Sequence, residues 1–110
     1  MEKIYNKLIR DNIPQIIIAN GELPVTHVLD DDEYKIELMK KLGEELLEVR
    51  LATTKEQQTK ELADMLELII VLNKTIGNTW EDLETARKKK LASNGGFDKK
   101  IFLEKVIDNK

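Results

Sequence analysis

At 110 residues, with 41% hydrophobic and 35% charged side chains, the chain has the length and composition of one folded domain, expected over residues 1–110. The absence of cysteine and the single histidine exclude a disulfide framework, a thiolate metal site and a cysteine nucleophile, and the net charge of −3 gives no general attraction to polymeric nucleic acid. No apolar run reaches the ~20 residues of a membrane span, and the first residues lack a signal-peptide pattern, so we expect a cytoplasmic protein without membrane contact.

The N-terminal part of the chain is predicted to contain one short helix and one strand. Residues 5–12 have the composition of an extended or turning segment. Pro14 is suited to open a short helix that Asn20 and Gly21 would close. Residues 25–29 are rich in β-branched side chains, which favours a short strand.

Two long helices are predicted in the middle of the chain. Acidic residues follow the candidate strand, and because such residues complement a helix N-terminus, the first helix is expected over residues 33–51. Thr53 and Glu56 have capping-box spacing, and the apolar periodicity then continues through residue 76, where the second helix is expected to stop.

The C-terminal part is predicted to hold a third helix and a second strand. Residues 79–82 are suited to open a helix that runs to residue 92, and residues 101–106 favour a strand that pairs with residues 25–29. The sequence therefore predicts a mainly α fold, a helical bundle with a small two-stranded β element. Because three medium helices enclose little volume, we expect completion of the bundle by dimerisation, as a homodimer or homotetramer.

Two acidic signatures are the feature of the sequence that points most directly to chemistry. At about 100° of rotation per residue, Glu45 and Glu48 lie on one side of the first long helix, and Glu61 and Asp64 lie on one side of the second. All four fall within or beside apolar stripes, where ionised carboxylates need neutralisation, pairing or a metal ion. The sequence therefore predicts a site for a divalent cation with oxygen ligands.

A solvated acidic face is the alternative interpretation of these carboxylates. Lys40, Lys41 and Lys60 stand at neighbouring helical positions and can pair with them on the surface. Similarly, the basic run at residues 87–90 either forms a solvated helix end or supplies a cation, with Lys89 as the candidate, to a phosphate near the metal.

The chain resembles the all-alpha nucleoside triphosphate pyrophosphohydrolases, the MazG and phosphoribosyl-ATP pyrophosphohydrolase group. Their acidic pattern is similar to the one described above, extended by Glu44. A subset of phosphoribosyl-ATP pyrophosphohydrolase-like proteins also begins with a segment similar to residues 5–14, and it is similar again at residues 28–34 and 95–97. The resemblance covers most of the chain and implies the all-alpha pyrophosphatase type of bundle.

The resemblance implies hydrolysis between the α and β phosphates of a nucleotide, giving a monophosphate and pyrophosphate. It implies Mg²⁺ as the usual cofactor, with Mn²⁺ as a substitute, and the four carboxylates as metal ligands. Glu45 and Glu44 are the catalytic candidates, with Glu44 orienting or deprotonating water. Lys7 and Arg10, from the similar N-terminal segment, are candidates for phosphate contact, or alternatively for a salt bridge with Asp11 or with the acidic helices.

Two other functions are compatible with the sequence. One is a non-catalytic helical interaction module, in which the acidic residues hold a structural cation or a basic partner. The other is the reaction on phosphoribosyl-ATP itself, because the identity of the nucleotide depends on pocket shape, which residue spacing does not reveal.

Overall fold

A computed structural model describes residues 1–108, and within that range the chain forms four α-helices and no β-strand. The helices are α1 (Ile13–Ala19), α2 (Asp31–Leu51), α3 (Lys55–Thr75) and α4 (Trp80–Asn94). The predicted mainly α class is therefore confirmed. The chain divides into two compact units, an N-terminal unit, Met1–Asn78, and a C-terminal unit that begins at Thr79. The single domain expected over residues 1–110 stays a prediction, and its last two residues lie outside the described residues.

Helix α1 is the short helix predicted around Pro14. The proline lies in its first turn, where the missing N–H costs no hydrogen bond. At its end the backbone N–H of Asn20 donates to the carbonyl of Ile16 at 3.1 Å, and Gly21 takes a φ of 85°. That left-handed conformation favours glycine, so the chain leaves the helix where the sequence predicts.

Helices α2 and α3 have 21 residues each, are joined by residues 52–54 and pack against each other. They therefore form a helical hairpin, which is the main tertiary contact of the N-terminal unit. Leu38 of α2 is buried to 2% exposure, and it is the fully buried hydrophobic side chain of the described residues. At other positions of the two helices, Leu42, Val49, Met65 and Leu68 are partly buried.

Helix α2 begins two residues earlier than predicted. The carboxylate of Asp30 accepts a hydrogen bond from the backbone N–H of Glu33 at 2.8 Å, and the Asp30 backbone is extended. Asp30 is therefore the N-cap, and the acidic residues assigned to the region before the helix form its first turn.

The predicted cap of α3 is wrong by one residue. The hydroxyl of Thr54, not that of Thr53, accepts the capping hydrogen bond, from the backbone N–H of Gln57 at 3.1 Å. In return the Gln57 side chain accepts from the backbone N–H of Thr53 at 3.2 Å. The amide oxygen of Gln57 takes the role that was predicted for the carboxylate of Glu56. Because Thr53 and Thr54 are adjacent, the sequence allowed a capping box to begin at either threonine.

Helix α4 belongs to the C-terminal unit and has the predicted capping residues. The Thr79 hydroxyl accepts from the Asp82 backbone N–H at 3.2 Å, and the Asp82 carboxylate accepts from the Thr79 backbone N–H at 2.8 Å. The helix ends at Asn94, two residues beyond the prediction, because Gly95 is the residue that turns to a positive φ, 81°.

The predicted two-stranded β element is not present in residues 1–108. Residues 25–29 and 101–106 are both without strand assignment, and neither has a backbone hydrogen bond to another described segment. Val25 and Val28 are exposed, at 100% and 98%. β-branched side chains favour a strand only where a neighbouring strand offers a hydrogen-bonding edge, and neither segment has one here.

No described helix combines the length and the apolar character needed to cross a membrane.

Replacing Thr54 by alanine removes the hydroxyl that caps α3, and we expect a loss of about 1 kcal/mol in the free energy of unfolding. Thr53→Ala is the matched control, because its backbone N–H still donates to Gln57. Urea unfolding followed by circular dichroism measures both. A Thr53→Ala loss equal to or larger than that of Thr54→Ala would contradict the observed cap.

Candidate metal centre

Three of the four predicted metal ligands lie together in the α2–α3 hairpin. Glu45 comes from α2, and Glu61 and Asp64 come from α3. One carboxylate oxygen of each lies within 4.8 Å of the others, and all three side chains are partly buried. The i,i+3 spacing on α3 directs both of its carboxylates to one side of that helix, and packing against α2 places Glu45 opposite them.

Glu45 is the most perturbed carboxyl of this group. Burial is the main cause, and it raises the pKa of Glu45 from its ordinary 4.5 to about 7. A carboxyl contact with Glu61 and repulsion by Glu61 and Asp64 raise the pKa further, while Lys41 acts in the opposite direction. The Oε2 atom of Glu45 is nonetheless buried without a hydrogen-bond partner among the described residues. Such an atom loses its hydration without replacement.

A hard divalent cation fits this arrangement. The donors are carboxylate oxygens, which Mg²⁺, Mn²⁺ and Ca²⁺ prefer, and the buried Glu45 oxygen is an acceptor that a cation would satisfy. Several like charges placed side by side also repel each other, and a cation between them removes that repulsion. The three-carboxylate cluster of Glu45, Glu61 and Asp64 can therefore hold a metal ion.

The fourth predicted ligand, Glu48, lies beside the cluster. Its side chain is exposed, and it lines a depression of about 300 Å³ at the turn between α2 and α3 together with Glu61 and Lys60. Glu48 is thus close to one cluster member without belonging to the group of three. Glu44, the candidate for orienting water, is exposed on α2. The role of Glu48 as a metal ligand and the role of Glu44 in orienting water stay predictions.

Arg10 is the predicted phosphate contact that the structure brings to the cluster. Its Nη2 atom donates to Oδ1 of Asp64 at 2.6 Å, which realises the alternative of a salt bridge with the acidic helices. The Nζ atom of Lys7 instead lies 5.4 Å from the centre of the Tyr5 ring, a cation–π distance. Lys89 is exposed on α4 in the C-terminal unit.

A second depression was not anticipated from the sequence. It has about 420 Å³ and lies at the other end of the hairpin, between the start of α2 and the end of α3. Tyr34, Lys35 and Lys74 are among its lining residues. The juxtaposition depends on residues about 40 positions apart in the sequence, and only the antiparallel hairpin brings them together.

Comparisons with known proteins found one partial relative. No protein-family model and no solved structure matches the chain. Over 50 residues the chain is 48% identical to an uncharacterized protein of Mycolicibacterium smegmatis (strain ATCC 700084 / mc(2)155). The match covers 46% of this chain and 51% of that protein, so the chain spans about half the length of the relative. The match names no activity, ligand or partner.

Replacing Glu45 by glutamine should stabilise the cation-free protein above pH 7 and leave it unchanged at pH 4. Because the folded-state pKa is raised from 4.5 to about 7, the folded chain binds this proton more tightly than the unfolded chain. The resulting stability is fully present below pH 4.5 and is lost as the pH rises through 7. Each pKa unit corresponds to about 1.4 kcal/mol, so we expect a gain on the order of 1–3 kcal/mol at pH 8.

The measurement is urea unfolding with chelator at pH 4 and pH 8. Glu44→Gln is the matched control, an exposed neighbour whose replacement should stay within about 0.5 kcal/mol of wild type at both values. A Glu45→Gln variant that is no more stable than wild type at pH 8 would show that the Glu45 carboxylate carries no burial cost.

Proposed function

We propose that the protein is a Mg²⁺-dependent nucleotide pyrophosphohydrolase that cleaves between the α and β phosphates and releases pyrophosphate. The observation that carries the proposal is the three-carboxylate cluster, with its buried and unpartnered Glu45 oxygen. The choice of reaction rests on the resemblance of the acidic pattern and of residues 5–14 to the all-alpha pyrophosphohydrolases. Mn²⁺ is the expected substitute ion, because it shares the preference of Mg²⁺ for oxygen ligands.

The carboxylates of the site would bind the cation and activate water. Glu45, Glu61 and Asp64 bind the cation, and Glu48 at the adjoining depression completes the ligand set. When bound, Mg²⁺ supplies charge neutralisation at the phosphates and lowers the pKa of water. Glu44, exposed next to Glu45, orients or deprotonates the attacking water.

Cations of the N-terminal unit would contact the leaving pyrophosphate. Lys7 is exposed and therefore accessible to a phosphate, whereas the phosphate contact of Lys89, which lies on the other unit, stays a prediction from the sequence. One nitrogen of Arg10 is engaged by Asp64, but a guanidinium has five N–H donors and retains others for a phosphate oxygen. The substrate class is a nucleoside triphosphate, a deoxynucleotide or phosphoribosyl-ATP.

A non-catalytic interaction module is the second candidate. The observation that favours it is the contact of Arg10 with Asp64, because it shows that the cluster accepts a guanidinium. An arginine or lysine of a basic partner would present the same chemistry. An enzyme differs from such a module in needing the individual ligand atoms, whereas a module needs mainly their charge.

Pyrophosphate release from a panel of nucleoside triphosphates, deoxynucleotides and phosphoribosyl-ATP, with Mg²⁺ and with chelator, tests the proposal. We expect release that chelator abolishes and that Glu45→Gln reduces by at least roughly 100-fold, because a ligand of the cation that neutralises the reacting phosphate is lost. Glu67→Gln, an exposed carboxylate of α3, is the matched control and should retain wild-type turnover.

Two results would contradict the hydrolase. Turnover that survives in Glu45→Gln would place the chemistry elsewhere. No turnover on any substrate, with Mn²⁺ binding intact, would favour the interaction module.

We also propose that the chain assembles as a homodimer or homotetramer. The support is an apolar surface on α2 that no described residue covers. Its members are each at least half exposed and lie within an arc of roughly 100° on the helical wheel. They are Ile36, Met39, Leu46 and Leu47. Gly43 falls inside this arc, and a β-carbon at this position would have no atom of another segment within 4 Å. A second helix can therefore approach α2 closely here.

Leu47→Lys should shift the protein toward the 12.7 kDa monomer, because a charge would be buried at the contact. Size-exclusion chromatography with light scattering measures the mass, and wild type should have about twice the monomer mass or more. Val25→Lys replaces an equally apolar, exposed side chain outside this surface and should leave the mass unchanged. A monomeric wild type would overturn the assembly.

A further inference from the structure

The ion pair between Arg10 and Asp64 differs in kind from the other salt bridges of the described residues. Lys40–Glu37 and Arg87–Glu84 each join residues three positions apart on one helix. Arg10 and Asp64 are 54 positions apart and join the segment before α1 to the middle of α3. Local helical pairs form wherever the spacing allows, whereas this pair exists only because the N-terminal segment is placed against α3.

The backbone of Arg10 is anchored by a hydrogen bond and by the partial burial of the two residues before it. Its carbonyl accepts a hydrogen bond from the backbone N–H of Ile13 at 3.1 Å, which ties it to the first turn of α1. Leu8 and Ile9, the two residues before it, are partly buried. The guanidinium therefore extends from an anchored stretch of backbone, which reduces the entropy lost when it pairs with a carboxylate.

The contact leaves Asp64 able to bind a second partner. It is made by one guanidinium nitrogen to one carboxylate oxygen, Oδ1, and the second oxygen is not part of the ion pair. The Asp64 side chain retains 30% exposure. A carboxylate that is fixed through one oxygen offers the other in a defined orientation, as the hydrogen-bonded carboxylates of metal sites do.

The charges of the site are consistent with simultaneous binding. The three carboxylates of the cluster carry three negative charges when ionised, while Glu48 is exposed and its charge is screened by solvent. A divalent cation compensates two of them, and the guanidinium compensates the third. Leaving the third charge uncompensated in a partly buried site would be unfavourable.

We infer that Arg10 is a positioning residue, which orients the carboxylate of Asp64 for the cation and so couples the segment before α1 to metal affinity. This inference rests on the proposed function for the identity of the metal site. Arg10 acts through Asp64 and touches no reacting atom in this role.

Arg10→Lys tests the inference, because lysine keeps the positive charge but lacks the planar and rigid fork of donors. The charge near the cation is then unchanged, and only the orientation of Asp64 is affected. We expect the Kd for Mn²⁺, measured by calorimetry on the full chain without nucleotide, to rise by about 10-fold, as for other residues that orient metal ligands. The unfolding midpoint in chelator should stay at the wild-type value, since lysine keeps the charge opposite Asp64 and the side chain at position 10 is 58% exposed.

Arg87→Lys is the matched control. Arg87 also pairs with a carboxylate, that of Glu84, outside the cluster, so its replacement should leave the Kd for Mn²⁺ unchanged. A wild-type or lower Kd in Arg10→Lys overturns the positioning role, and so does a rise accompanied by an equal rise in Arg87→Lys. Absence of Mn²⁺ binding by the wild-type protein overturns the metal site itself and the inference with it, which separates the two failures.

Discussion

Helices α2 and α3 are joined by three residues and pack along their lengths, so each side chain on the facing surface of one helix has a fixed neighbour on the other. This contact buries Leu38 and, farther along the same surface, places Glu45 opposite Glu61 and Asp64. Apolar packing and carboxylate clustering are therefore two results of one helix pairing. The free energy gained along the apolar part of the contact holds together groups that repel each other at its acidic part.

The acidic part of the contact is compensated only in part by the chain itself. Arg10 pairs with Asp64, and Lys41 favours ionisation of Glu45, yet the pKa of Glu45 remains raised to about 7 and its Oε2 atom has no hydrogen-bond partner. Carboxyl groups with strongly raised pKa values are concentrated at the functional sites of proteins. In the proposed pyrophosphohydrolase, a cation bound to the three-carboxylate cluster would relieve this cost, which links the stability of the hairpin to its proposed chemistry.

The hairpin also has apolar surface that the contact between α2 and α3 does not bury. The side of α2 that faces away from α3 carries Ile36, Met39 and Leu47, each at half exposure or more. Leu38, by contrast, is the fully buried hydrophobic residue of the described chain. Two helices can cover only one face of each other, so the rest of this apolar surface stays open to a further partner. Self-association would cover this apolar surface. The carboxylate cluster, which lies between α2 and α3, would then be separate from the contact between the two copies.

The helices and the acidic pattern could be predicted from the sequence, because helix periodicity, caps and i,i+3 spacing are local properties. Thr79 caps α4 as predicted, and the boundaries of α2 and α4 differ from the prediction by two residues at one end of each helix. The choice of Thr53 over Thr54 was wrong, since both registers satisfy the same rule. The position of Glu48 beside the cluster and the pairing of Arg10 with Asp64 result from the packing of distant segments. The same packing leaves residues 25–29 without a strand partner. These outcomes depend on which segments meet across long sequence separations, and residue spacing within one element contains no information about that.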